Sequence, residues 1–188
     1  MKISKLKSEL NKLPKGFVVL VTVNSKEYFR TNIEIIKFLA NDENVPGVYV
    51  TVNKPYQVMI KVLKENKINT KSLKFIDCIT SVAGGKPEKT EDCLFISSPQ
   101  NLTDLGVAMD QALKALPEDD KFLFLDSLST LLIYNSVGTV AKFSHFLTSR
   151  MKLMGLRGVL ISLEGETDPQ LLSQLSQFCD GVIDLDGV

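Results

Sequence analysis

Histidine is nearly missing from this sequence, cysteine is scarce, and no apolar run approaches the roughly 20 residues of a membrane-spanning helix. The single histidine, His145, lies off the apolar stripe of its segment and has no acid or serine partner flagged. A Ser-His-Asp arrangement therefore has no support. Cys78, Cys93 and Cys179 are odd in number and lack metal-ligand spacing. We read them as reduced, mostly buried thiols of a cytoplasmic protein rather than as a disulfide framework or a metal site. The segment Met1 to Lys15 has no apolar core of the kind a secretory signal needs. Also missing is any Gly-x-x-x-x-Gly-Lys-Ser/Thr, the pattern whose backbone N–H groups cradle phosphates. There is no internal repeat, low-complexity tract or break in composition. The expectation is one domain over residues 1–188, with 1–12 as a basic, solvated amphipathic lead-in segment.

What is present is an ordinary globular composition, 44% hydrophobic and 23% charged, enough for a sizeable core. Short β-rich runs alternate with segments of helical period. Strands are expected at Phe17–Val23, Val48–Thr51, Leu73–Asp77, Leu94–Ile96, Phe122–Asp126, Gly158–Leu163 and Gly181–Leu185. Between them lie the apolar stripes of five helices. The first is Phe29, Ile33, Ile36 and Ala40; the second, opened by Pro55, is Tyr56, Met59, Ile60 and Leu63. The third is Leu102, Leu105, Met109, Ala112 and Leu116, with Asn101 as its N-cap. The fourth is Val140, Phe143, Leu147, Met151 and Met154, and the last is Leu171, Leu172, Leu175 and Phe178. Ser81–Asp92, with two glycines, a proline and five charged residues, reads as a surface loop. The pattern predicts an α/β fold, a mostly parallel sheet with helices on both faces.

One stretch carries a chemical signal. Lys121-Phe-Leu-Phe-Leu-Asp-Ser-Leu-Ser129 is a buried strand with a lone acid, Asp126, at its C-terminal tip, where an NTPase orients magnesium beside a nucleotide. Leu13-Pro-Lys-Gly16 runs into Phe17-Val-Val-Leu-Val-Thr22, and Gly47-Val-Tyr-Val-Thr51 and Lys74-Phe-Ile-Asp-Cys78 follow. Gly158-Val-Leu-Ile-Ser162 and Cys179-Asp-Gly-Val-Ile-Asp-Leu185 close the series. In order and spacing, from about Leu13 to Leu185, these pieces resemble the KaiC-like branch of the RecA-fold ATPases. The resemblance implies a three-layer α/β/α RecA-like fold of the P-loop NTPase type, with Asp126 as its Walker B acid.

The same resemblance shows where the chain departs from the family. Its phosphate loop overlays Val21-Thr-Val-Asn-Ser-Lys-Glu-Tyr-Phe-Arg-Thr31 without a gap. The loop glycines fall on Val23, Lys26 and Tyr28, the lysine on Phe29 and the magnesium-side hydroxyl on Arg30. Val23 and Tyr28 obstruct the backbone approach that glycine permits. Phe29 supplies no charge and falls on the apolar stripe of the first helix, so packing is expected to recruit it. Beyond the second strand, Asn53 and Lys54 stand near the acidic positions, and neither is a carboxylate base. The expectation is a pseudo-ATPase with a degenerate Walker A loop, no catalytic residues, no bound cofactor and no metal, serving as a protein-binding, regulatory or assembly module. Its partner would be another copy or an active RecA-fold relative. The alternative is a divergent ATP-binding switch, in which Lys26, Arg30, Thr31 and Asp126 hold an anion or ATP with Mg2+.

Charge adds one more expectation. Residues 1–75 carry 14 basic and 6 acidic side chains, and residues 76–188 carry 8 and 16. Opposite-signed faces would attract a second copy head to tail. Lys2, Lys5, Lys7, Lys12 and Lys15 would attract nucleic acid or an acidic protein, but no aromatics are interleaved for base stacking. Glu164-Gly-Glu-Thr-Asp168 reads as a loop, with Asp168 capping the helix that begins near Pro169.

Overall fold

The continuous β-branched runs of this chain have no polar alternation, which requires strands covered on both faces. The structure, a computed structural model describing residues 2–185, is built that way. Among the described residues, seven strands form one parallel sheet in the order β4-β3-β2-β5-β6-β1-β7. They are β1 (Val18–Val23), β2 (Gly47–Thr51), β3 (Leu73–Asp77), β4 (Cys93–Phe95), β5 (Phe122–Asp126), β6 (Arg157–Leu163) and β7 (Gly181–Asp184). Their ends lie within a residue of those expected. Side chains alternate across the sheet because successive strand residues point to opposite faces. Val19, Val21, Tyr49, Phe122 and Phe124 enter one core, and Val18, Leu20, Val48, Leu123 and Leu125 the other.

The first core is closed by α1 (Lys2–Lys12), α2 (Tyr28–Lys37, continued by a π-helical turn over Phe38–Asp42) and α3 (Tyr56–Glu65). The second is closed by α4 (Leu102–Lys114), α5 (Leu128–Tyr134), α6 (Val137–Leu153) and α7 (Pro169–Phe178). This is the three-layer α/β/α architecture expected of a RecA-like fold. The charge segregation of the sequence does not become two opposite-signed helical layers. Helices α4–α7 carry only Asp104 and Asp110 as acids, beside Lys114, Lys142, Arg150 and Lys152, and the other described acids after residue 75 lie in loops and strands.

Three local readings are corrected. The lead-in is not a solvated segment: α1 buries Leu6 and Leu10 at 1% and 2% exposure, so a third helix covers this core. Phe29 is not recruited into packing. It is 37% exposed, while Ile33, Ile36 and Ala40 of the same stripe are buried. Asn101 occupies the N-cap of α4, but its side chain caps nothing and donates to Ser97 Oγ at 2.6 Å. By contrast, Asp168 Oδ1 accepts the Leu171 N–H at 3.0 Å and caps α7. Gly155 ends α6 at a positive φ of 65°, and Leu156 N–H reaches back to Met151 C=O at 3.0 Å.

The burial of α1 has a measurable consequence. Leu10→Ala should lower unfolding stability by about 2–4 kcal/mol in urea titrations, the range for a large-to-small core change. A loss under about 0.5 kcal/mol would return this segment to the solvent.

Candidate functional site

The C-terminal edge of a parallel sheet is where open α/β folds bind ligands, and Asp126 ends β5 at that edge. It lies on the same face as Phe122 and Phe124, so it points under α2 rather than into solvent, at 3% exposure. Water is replaced around its carboxylate by three elements. Tyr49 of β2 donates its hydroxyl to Oδ2 at 2.5 Å, and Asn53, just beyond β2, donates Nδ2 to Oδ1 at 3.2 Å. The same Nδ2 donates to the Tyr28 hydroxyl of α2 at 2.5 Å, and Asn53 Oδ1 accepts from Thr130 Oγ1 at 2.5 Å. Thr130 belongs to α5, whose N-cap Ser127 follows Asp126 through a cis peptide. Asn32 of α2, 2% exposed, bonds the Tyr49 side chain, while its Oδ1 has no partner. Burial pushes the Asp126 carboxyl up to about 8 and raises Tyr49 far above the usual phenol range.

The turn after β1 is closed by its own first residue. Asn24 Oδ1 accepts the N–H groups of Lys26 and Glu27, both at 3.0 Å, and Asn24 C=O accepts those of Glu27 and Tyr28 at 3.2 and 3.0 Å. This is an Asx turn that leads into α2, whose N-cap Glu27 makes no side-chain cap. Asn24 thus takes up the N–H groups of Lys26, Glu27 and Tyr28. The obstruction expected of Val23 and Tyr28 takes a different form. Val23 is buried in the core, and Tyr28 lays its hydroxyl on Asn53.

The four residues singled out for an anion are divided by the fold. Lys26 and Arg30 are exposed at the start of α2, whereas Thr31 and Asp126 are buried. The hydrogen bonds of Asp126 run to Tyr49 and Asn53. Lys54 places its ammonium 3.7 Å from the centre of the Phe29 ring, and burial lowers its pKa. His145 is exposed and packs on Phe178 at 4.6 Å. No group of three or more His, Cys, Asp or Glu side chains among the described residues is placed to hold a metal. The cysteines there are free, and no helix there is long and apolar enough to cross a membrane. Of this network the sequence reading has Asp126, Asn53 and Tyr28 in view, and it misses Asn32, Tyr49 and Thr130. It also misses Asn24, although an Asn directly after a strand and four residues before a helix signals an Asx turn.

The model of a family of unknown function (DUF7504) matches residues 19–185, nearly the whole chain. The chain belongs to this family. No curated protein matches this DUF7504 chain. Its fold is shared with solved structures from Pyrococcus horikoshii. The KaiC-like protein PH0186 superposes with a TM-score of 0.65 at 16% identity, covering 92% of this chain and 72% of that one. The uncharacterized protein PH0321, whose crystal structure is in complex with an unknown peptide, gives 0.65 at 17% identity over 97% and 82%. The PH0250 structure gives 0.65 at 13% identity over 100% and 89%. At these identities the likeness establishes the KaiC-like fold.

The raised Asp126 pKa sets a sign for stability. The folded chain keeps a proton that the unfolded chain loses near pH 4, so this contribution is full below about 4 and is lost as pH rises through about 8. The Tyr49 and Asn53 hydrogen bonds favour the carboxylate and offset part of it, leaving an effect on the order of 2 kcal/mol. Asp126→Asn should flatten the fall in urea midpoint between pH 5 and 9. An unchanged slope would place the titrating group elsewhere.

Proposed function

We propose that this DUF7504 chain is a KaiC-like pseudo-ATPase, a RecA-type scaffold that binds protein rather than hydrolysing nucleotide. The observation that carries this reading is Asn24. Its side chain occupies the N–H groups that would otherwise cradle phosphates, directly after the strand where the family places its loop. Two further features support it. Asn53 and Lys54 stand where the family has acidic residues, and Asn53 is engaged as a donor to Asp126. Asp126 itself is enclosed by side chains and accepts the Tyr49 hydroxyl. A peptide complex of the similarly folded PH0321 is in keeping with a protein-binding role. We propose another copy or an active RecA-fold relative as the partner, drawn by the opposite net charges of residues 1–75 and 76–188.

One observation favours the alternative of an ATP-responsive switch: Lys26 and Arg30 are exposed at the positive end of the α2 dipole. Calorimetric titration with ATP and magnesium separates the two. A pseudo-ATPase should give no saturable heat, and its melting temperature should stay within about 1 °C at millimolar ATP. A ligand at 100 times its dissociation constant would add about 2.7 kcal/mol. Micromolar binding with phosphate release would overturn the proposal. Sedimentation tests the partner: self-association at low salt should weaken at about 0.5 M through screening, and a monomer at every salt concentration would remove the second copy.

A further inference from the structure

Among the described residues the outer strands of the sheet are β4 and β7. On β4 the parallel ladder turns the backbone groups of alternate residues toward β3: Asp92 C=O accepts Phe75 N–H at 2.7 Å, and Ile96 N–H donates to Asp77 C=O at 2.8 Å. The intervening residues, Cys93 and Phe95, therefore direct their N–H and C=O groups away from the sheet. Beside this edge, between β4 and α4, runs a groove of about 430 Å³. Its walls include Leu94 at 36% exposure, Val107 at 54%, and Ala108 and Gln111. A smaller hollow of about 110 Å³ continues it past Leu94 and Gln111 toward the start of the strand.

We infer that the open edge of β4 is a docking site for a short extended peptide with an apolar centre and Lys or Arg at its ends. An added strand pairs with outward N–H and C=O groups, and its pleat sends every second side chain into the groove over Leu94 and Val107. Charge selects the partner. The ionisable side chains lining the groove and its extension are Lys74, Glu91, Asp92 and Asp104, a net of −2. Lys74 is already paired with Asp92 at 2.8 Å. The remaining acids, Glu91 and Asp104, are exposed near opposite ends of the strand. They also disfavour a second copy. Pairing β4 with another β4 in antiparallel sense would set Glu91 of one copy against Asp104 of the other. The second open edge, β7, is likewise flanked by acids, Asp180 and Asp184.

This site deepens the protein-binding reading and rests on it, but it lies away from the turn at Asn24, so the two are tested separately. The probe is the labelled peptide Lys-Val-Thr-Val-Thr-Lys, titrated against the full chain by fluorescence anisotropy and by amide NMR. Binding in the range of about 10–500 µM is expected, with the Cys93 and Phe95 amides shifting and exchanging more slowly as they gain partners. A peptide with Glu at both ends should bind at least about tenfold more weakly. Leu94→Lys, at an exposed position, should abolish binding, and Asp104→Lys should weaken it about three- to tenfold with the fold intact by circular dichroism. No binding at about 1 mM peptide, or amide shifts confined to residues away from β4 and α4, would overturn the inference. A dimer that Leu94→Lys dissociates would overturn it in favour of a second copy. ATP binding by the same protein would leave this result unchanged and bear only on the pseudo-ATPase reading.

Discussion

A carboxyl group taken out of water at the tip of a central strand governs how the ligand edge of this fold is built. Asp126 has lost its solvent, and the low-dielectric surroundings require its oxygens to be answered by donors. Tyr49 and Asn53 provide them, and each is held in turn by α2 or α5. The network thus ties β2, β5, α2 and α5 together at the C-terminal edge of the sheet. The free oxygen of Asn32 is the one loose end among these side chains.

The turn after β1 belongs to the same design. A phosphate loop keeps its amides unsatisfied until a ligand arrives, which is tolerable only while water or phosphate can reach them. Here the Asn24 side chain satisfies two amides permanently and starts α2 one short turn after the strand. The helix can then bring Tyr28 down on Asn53, while Phe29 is left outside beneath Lys54. The turn and the buried acid are thereby joined, since Tyr28 meets the Asn53 that donates to Asp126.

Much of the fold was legible in the residues. Strands such as Phe122–Asp126 are continuous apolar runs with abrupt polar ends, and their boundaries emerged within a residue. Helices with long stripes, such as that through Val140, Phe143 and Leu147, were equally plain. The lead-in helix escaped because its apolar face is only Leu6 and Leu10 set among lysines, which reads as solvated until the α2 face it covers is known. Helix α5, seven residues long, is too short to show a period. At the site, Asp126 was visible as a lone acid after a strand, but its partners lie up to 77 residues away and carry no local signature.

The sequence by itself determined the layer architecture, the lack of a glycine-rich phosphate loop and the segregation of charge, since each is a property of local pattern or composition. Tertiary structure alone decided which way those patterns face. It buried Asp126 under α2 by the pleat of β5, and it left β4 at an open edge beside an apolar groove. Burial and hydrogen bonding depend on neighbours remote in the chain, and only the folded arrangement brings those neighbours together.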